Sequence, residues 1–245
     1  MPFTFSHPAI ILPLKYLPKN WFSLTGLIIG SLTPDFEYFI RMKVQSNYSH
    51  TFYGMFWFDL PLAIILSFIF HNIVRNHLFF NSPNIIKSRV LIFSTFNWNI
   101  YFKKHWIIIL ISTIIGISSH LFWDGFTHNH GYFVNHFYSL KNSFSFLGNE
   151  IPIWKVLQHT STLLGAVIII VSFFKLPKNT ISALNNHQKY WKTISILTLT
   201  ISILRFMINL KLLSLGNIIV TVISAFMISL IINPFLIKVK GSSKN

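Results

Sequence analysis

Three stretches of this chain are too long and too apolar to suit a water-facing fold. His105–Trp123 (HWIIILISTIIGISSHLFW), Val156–Phe174 (VLQHTSTLLGAVIIIVSFF) and Leu212–Ile237 each run without Asp, Glu, Lys or Arg. About 20 apolar residues in a helix cross about 30 Å of hydrocarbon, and a helix satisfies its own backbone there. Two further windows, Leu60–Phe80 and Lys192–Leu210, are interrupted by Arg75 and Arg205. An arginine near a helix end can snorkel to the interface along its stem, so both remain candidate spans. The expected fold is all-α: a polytopic helical membrane protein with about four to five transmembrane helices.

Composition agrees. Hydrophobic residues make up 52% of the chain and charged residues only 10%, where a soluble domain carries about a quarter. The 20 Lys and Arg against 5 Asp and Glu give a net charge of +15, which raises the question of nucleic acid. These cations fall singly or in pairs between apolar runs and do not cluster on one polar face, so they read as membrane-flanking charges and no nucleic-acid partner is expected. The chain has no Cys, so any metal must be held by His, carboxylate and water. No phosphate-binding glycine loop, nucleotide motif or Ser/His/Asp order appears. The apolar opening from Pro8 to Leu17 carries Pro8 and Pro13 and lacks a basic leader, which argues against a signal peptide.

Numbering the five windows in order, the links between the first and second and between the third and fourth are the more basic. With the Lys238/Lys240/Lys244 tail they are expected on the cytoplasmic side. Whatever the sign, two spans separate residues 1 to 58 from residues 124 to 155, so both segments should lie on one face. That matters because polar chemistry gathers there. Of the five acids, Asp35 and Glu37 stand in SLTPDFEYF, Asp59 in FWFDLP, Asp124 in SHLFWDGFTHNH and Glu150 in LGNEIP. His7 and His50 lie in the first segment, while His120, His128, His130, His136 and His159 crowd the second and its flanking helices.

The sharpest local feature is His120-Leu-Phe-Trp-Asp124. Residues four apart stack on one helix face, so this imidazole and carboxylate can grip one cation or bridge two; His128 extends the face if the helix passes Gly125. The competing reading is a His–Asp hydrogen bond that merely satisfies two polar groups. His7, in a turn shaped by Ser6 and Pro8, is either a ligand or an interfacial residue. Asp35 is explained as well by helix capping, with Thr33 as N-cap and Pro34 at the first helical position. His50 reads equally as a loop residue. Asp59 reads as the N-cap of a helix starting at Leu60. Gln158 and His159, polar in an apolar helix start, suit either a metal shell or an interhelical hydrogen bond. His71, His77, His105 and His187 have no acidic neighbour in sequence and read as structural.

The blocks MPFTFSHPAIILPL, LTGLIIGSLTPDFEYFIRM, SHTFYGMFWFDLPL, SHLFWDGFTHNHGY and KVLQHTSTLLG resemble the bacterial membrane-protein family known as domain of unknown function 4184. The likeness runs from Met1 to about Lys178, dividing the chain into a membrane-embedded helical domain over 1–178 and C-terminal spans with a short basic tail over 179–245. More distantly the pattern is similar to inner-membrane metal-dependent hydrolases of the YdjM type, and through them to zinc-dependent phospholipase C, an all-helical enzyme with a three-zinc site. The resemblance implies metal ligands at His7, Asp35, His50, His120, Asp124, His128 and His159, with Asp35 between two ions. His130 competes with His128 by spacing. The acid that the phospholipase pattern expects four residues after His159 is absent, since position 163 is Leu. One or two ions, zinc foremost, are therefore expected rather than three.

The resulting expectation is a multi-pass protein of the bacterial inner membrane, surrounded by lipid. It would act as a metal-dependent hydrolase on a phosphoester or lipid headgroup, with Asp35 or Asp124 orienting or deprotonating water and Arg41 or Lys43 attracting the anion. The rival is a non-enzymatic membrane protein, structural or transporting metal or protons, whose His/Asp pairs tie helices together. Transport calls for ionisable groups at midplane depth, whereas these stand near span ends.

Overall fold

The computed structural model describes residues 3–18, 21–146, 148–179, 187–208 and 213–237. Its helices are α1 (Pro8–Ile11), α2 (Leu24–Leu32), α3 (Phe36–Arg41), α4 (Phe52–Asn81), α5 (Asn84–Val90), α6 (Trp98–Thr127), α7 (Tyr132–His136), α8 (Ile153–Phe174), α9 (His187–Ile208) and α10 (Leu215–Leu236). Between α7 and α8 lies a short antiparallel hairpin, β1 (Ser143–Phe146) with β2 (Asn149–Pro152), which the apolar periodicity does not announce. Among the described residues, five helical stretches are long and apolar enough to cross a membrane: α4, α6 continuing into α7, α8, α9 and α10. Each expected window falls in one of them, and the chain has the make-up of an integral membrane protein. Leu212, residues 209–210 and the tail lysines lie outside the described residues.

Two boundaries differ from expectation, for local reasons. α4 starts at Phe52, where the Thr51 hydroxyl accepts the Gly54 N–H at 2.9 Å. Asp59 therefore sits inside the helix, fully buried, instead of capping it. Thr33 does not cap α3 either; its hydroxyl donates back to the Ile29 carbonyl at 2.6 Å, closing the last turn of α2.

The chain forms two compact units that interleave in sequence. The first comprises Met1–Asp35, Tyr48–Ile64 and His105–Lys175; the second comprises Phe36–Asn47, Ile65–Lys104 and Leu176–Asn245.

In the first unit, α2 and α6 cross at backbone contact. A Cβ on Gly30 would collide with the Thr113 carbonyl, and one on Gly116 with the Leu27 carbonyl. Small residues four apart, as in Gly26-Leu-Ile-Ile-Gly30, let membrane helices approach this closely. Ser23 fixes the register: its side chain accepts the Gly26 N–H, and its own N–H donates to Ser112 Oγ at 2.8 Å. The N-terminal segment is held against α8 in the same way, with the Phe3 N–H donating to Thr162 Oγ1 and Ser6 Oγ donating to the Thr162 carbonyl, both at 3.1 Å.

In the second unit, Arg75 does not snorkel. It is buried and its guanidinium donates to the Phe96 carbonyl at 2.7 Å and the Ser94 carbonyl at 3.0 Å, pinning the loop before α6. Arg205 on α9 donates to the Arg41 carbonyl at 3.2 Å. Between α9 and α10, Thr198 donates to Ser229 Oγ at 3.2 Å, the kind of polar contact that joins helices in lipid.

Candidate metal centre

Gly116, His120 and Asp124 lie four residues apart on one face of α6. The face that meets α2 through Gly116 thus carries its two polar side chains past the end of α2. There the Ser31 carbonyl accepts a hydrogen bond from His120 Nδ1 at 2.8 Å, leaving Nε2 to face the carboxylates from the opposite side of the ring. Immediately after α2 the chain turns through Thr33–Asp35, which delivers the Asp35 carboxylate to that nitrogen. His50 arrives from the turn before α4, one residue ahead of the Thr51 cap. Its Nδ1 is 3.1 Å from Ser49 Oγ, and its Nε2 faces the same carboxylates.

Four donor atoms converge. His50 Nε2 is 3.5 Å from Asp35 Oδ1 and 3.5 Å from Asp124 Oδ2, and His120 Nε2 is 3.6 Å and 3.3 Å from the same two oxygens. These separations exceed the roughly 2.7–2.9 Å of a charge-assisted N–H···O bond. They match the edges of a tetrahedron with metal–ligand bonds of about 2.0–2.2 Å, which come to about 3.3–3.6 Å. Asp35 Oδ1, His120 Nε2 and both Asp124 oxygens are buried with no hydrogen-bond partner among the described residues, as atoms reserved for a cation would be. Asp35, His50, His120 and Asp124 could hold a metal ion. The donor set, two imidazoles and two carboxylates, fits a divalent cation of the zinc type.

Around this group stand two more imidazoles. His7 Nε2 lies 3.5 Å from Asp124 Oδ1, and its ring stacks on His120 at 3.7 Å between centroids. His128 Nδ1 is 3.6 Å from the same oxygen and 3.1 Å from the Asp124 carbonyl, because α6 does continue past Gly125 and the His128 ring folds back on it. Asp124 therefore turns Oδ2 toward His50 and His120 and Oδ1 toward His7 and His128. The structure brings six of the seven expected ligand residues together. His159 is exposed on α8, and no ion pair among the described residues joins it to the group. Its neighbour Gln158 takes the inward position, donating to the Thr127 carbonyl at 3.2 Å. His130 is exposed, so the spacing alternative to His128 does not reach the cluster. Arg41 is paired with the Glu37 carboxylate at 2.8 Å, and Lys43 Nζ donates to Gln45 Oε1. Each is thus engaged within its own segment.

One contributor has no signal in the sequence. Thr4 Oγ1 donates to Asp35 Oδ2 at 2.6 Å, both residues being buried. It orients the carboxylate so that Oδ1 faces the histidines, the task of an outer hydrogen bond at a metal site.

Charge follows from packing. Burial, and then neighbouring His120, push the His7 imidazole down to about 3 against the pull of Asp124 and Asp35, so it is neutral and can donate a lone pair. Burial opposes ionisation of Asp35, yet His120 and His50 hold it below the usual carboxylate value. For His50 burial likewise favours the neutral ring, but the Asp124 and Asp35 carboxylates outweigh it and push the imidazole up to about 9. In the metal-free protein a proton therefore offsets the two acids. A cation bound there would displace it. The His120 and Asp35 side chains are fully buried, while His50 and His128 retain 23% and 29% exposure.

Fold and cluster together define a polytopic helical membrane protein with a buried His/Asp group drawn from its N-terminal segment and its second long helix. The chain belongs to the family described as Domain of unknown function (DUF4184), whose profile it matches over residues 1–235. No curated protein and no solved structure matches it.

Proposed function

We propose that this protein is a metal-dependent hydrolase of the bacterial inner membrane that binds zinc at Asp35, His50, His120 and Asp124 and cleaves a phosphoester, with a lipid headgroup as the natural form of the substrate. The observation that carries the reading is the set of four N···O distances of 3.3–3.6 Å, at which Asp35 Oδ1, His120 Nε2 and Asp124 Oδ2 are buried with no hydrogen-bond partner among the described residues. Side chains that served only to tie helices would close to hydrogen-bonding distance, which weighs against the structural rival. A second cation would be held by Asp124 Oδ1, His7 and His128, a less complete set that leaves room for water and substrate.

A bound divalent cation supplies Lewis acidity toward a phosphoryl oxygen and lowers the pKa of coordinated water toward about 7. The chain's own contributions follow from its geometry. Thr4 and Ser31 orient Asp35 and His120 through 2.6 Å and 2.8 Å hydrogen bonds. Asp35 or Asp124 would orient or deprotonate an attacking water, and Asp124 Oδ1 is the oxygen for it where no second cation is held there. His50 and His128 keep partial exposure, through which water and substrate would enter.

The test is hydrolysis of a soluble phosphodiester, bis(p-nitrophenyl) phosphate, and of phospholipids in nanodiscs, with zinc and after chelation. Zinc-dependent turnover that falls at least 100-fold in Asp124→Asn supports the assignment. Identical rates for wild type and Asp124→Asn under every metal condition would refute it.

A further inference from the structure

Beside the metal cluster the first unit contains a cavity of about 310 Å³, within the range of small-molecule sites. His7, Trp123, Ile10, Leu164 and Ile168 are among its walls. His7 belongs to both places: it lines the cavity and stands 3.5 Å from Asp124. Along α8 the wall runs from Leu157 to Ile168, twelve residues spanning about 16 Å of helix.

The polar residues on this wall are polar in name only. Ser6 Oγ donates to the Thr162 carbonyl, Thr160 Oγ1 to the Val156 carbonyl and Ser161 Oγ to the Gln158 carbonyl, at 2.8–3.1 Å. With their hydroxyl protons used by the backbone, these side chains leave a surface with little to offer a sugar or a nucleotide. The cavity is not sealed from the surroundings either. Ile10, Leu164 and Ile168 are 41%, 63% and 45% exposed, and α8 is one of the helices long and apolar enough to lie in the bilayer. With α8 crossing a bilayer, hydrocarbon would reach this rim.

We infer that this cavity is an acyl-chain slot, which admits one hydrocarbon tail of a membrane lipid from the side and sets its polar group against His7 and the metal cluster. The inference rests on the hydrolase reading for what happens to that polar group, and it narrows the substrate class from phosphoesters in general to amphiphiles carrying a long chain. A tail already dissolved in the bilayer gains little free energy by entering an apolar slot. The slot therefore acts as a positioning device, holding the scissile bond in reach of the cluster.

Two plugging variants test it, Leu164→Trp at the rim and Ser161→Trp on the wall, in full-length protein reconstituted in nanodiscs. The probe is a phosphatidylglycerol with a diazirine in one acyl chain, photolysed and mapped by tandem mass spectrometry, a readout that needs no turnover. We expect label on Ile10, Leu157 and Ile168 in the wild type and at least a fivefold loss there in either variant. Labelling at the outward Leu163 and Val167 should persist in both, with helical content and zinc stoichiometry unchanged. Hydrolysis of bis(p-nitrophenyl) phosphate should be preserved while that of the long-chain lipid falls at least tenfold. Label confined to the outward residues, or insensitive to both plugs, overturns the slot even if the soluble ester is hydrolysed. Slot labelling without hydrolysis of either ester keeps the slot and refutes the hydrolase reading.

Discussion

Replacing Thr4 with valine changes a hydroxyl to a methyl at nearly constant volume, and the structure assigns that hydroxyl one job. It donates to Asp35 Oδ2 at 2.6 Å, in a place where both residues are buried. A buried hydrogen bond to an ionised acceptor contributes about 1.5–3 kcal/mol. Little of that loss can be recovered from solvent, because Asp35 is fully buried. Outer hydrogen bonds of this kind raise metal affinity about 10- to 100-fold, and those factors correspond to about 1.4–2.8 kcal/mol, so the two routes agree. Thr4→Val should therefore weaken zinc binding by one to two orders of magnitude while leaving the helical spectrum intact, and Thr4→Ser should restore most of the affinity. Competition with a fluorescent zinc chelator in detergent at pH 7 measures both. A dissociation constant for Thr4→Val within twofold of wild type would show that Asp35 is not a ligand, or that its orientation is set elsewhere.

Three other outcomes follow. His50 is raised to about 9 from its ordinary 6.5, so its contribution to metal-free stability is fully present below about pH 6.5 and lost as pH rises toward about 9. Zinc needs the deprotonated ring, so its affinity climbs across that same window. Melting temperatures recorded from pH 6 to 9 should accordingly fall with chelator present and hold or rise with zinc; parallel curves would contradict the assignment. Gly30→Ala drives a methyl into the Thr113 carbonyl at the crossing of α2 and α6. Overpacking of this kind costs about 1–3 kcal/mol, to be read as a lower melting temperature and reduced zinc occupancy, whereas unchanged values would mean the crossing yields freely. His159→Ala should leave zinc stoichiometry untouched, because that side chain is exposed on α8; loss of an equivalent on elemental analysis would place it in the shell after all.

How much of this was legible in the sequence depends on the range of each interaction. The spans are readable because hydrophobic length is a local property, and His120 with Asp124 because four residues on a helix define one face. Counting two spans between residues 1–58 and 124–155 puts His7, Asp35 and His50 on the same face as the α6 pair, and contacts of 3.3–3.6 Å join these five residues. Interactions between distant segments left no trace. Thr4 meets Asp35 across 31 positions, and one threonine in TFSHPAI looks like any other. Local rules also competed and lost. A cap at Asp59 is the local expectation, yet Thr51 starts α4 earlier, and Arg75, free by sequence to snorkel, gives its donors to the Ser94 and Phe96 carbonyls inside the second unit. At the start of α8, Gln158 and His159 are adjacent, and a helix turns successive residues about 100° apart. Only one could point inward, and sequence could not say which.

Metal content of the purified protein is the most direct test of the central claim. Elemental mass spectrometry on wild type, His120→Ala and Asp124→Ala, matched for helical content, should find about one or two equivalents of zinc per chain in the wild type and less than a tenth in either variant. Wild-type protein that stays metal-free after zinc repletion with its helices intact would contradict it, leaving the His/Asp cluster as polar packing between helices.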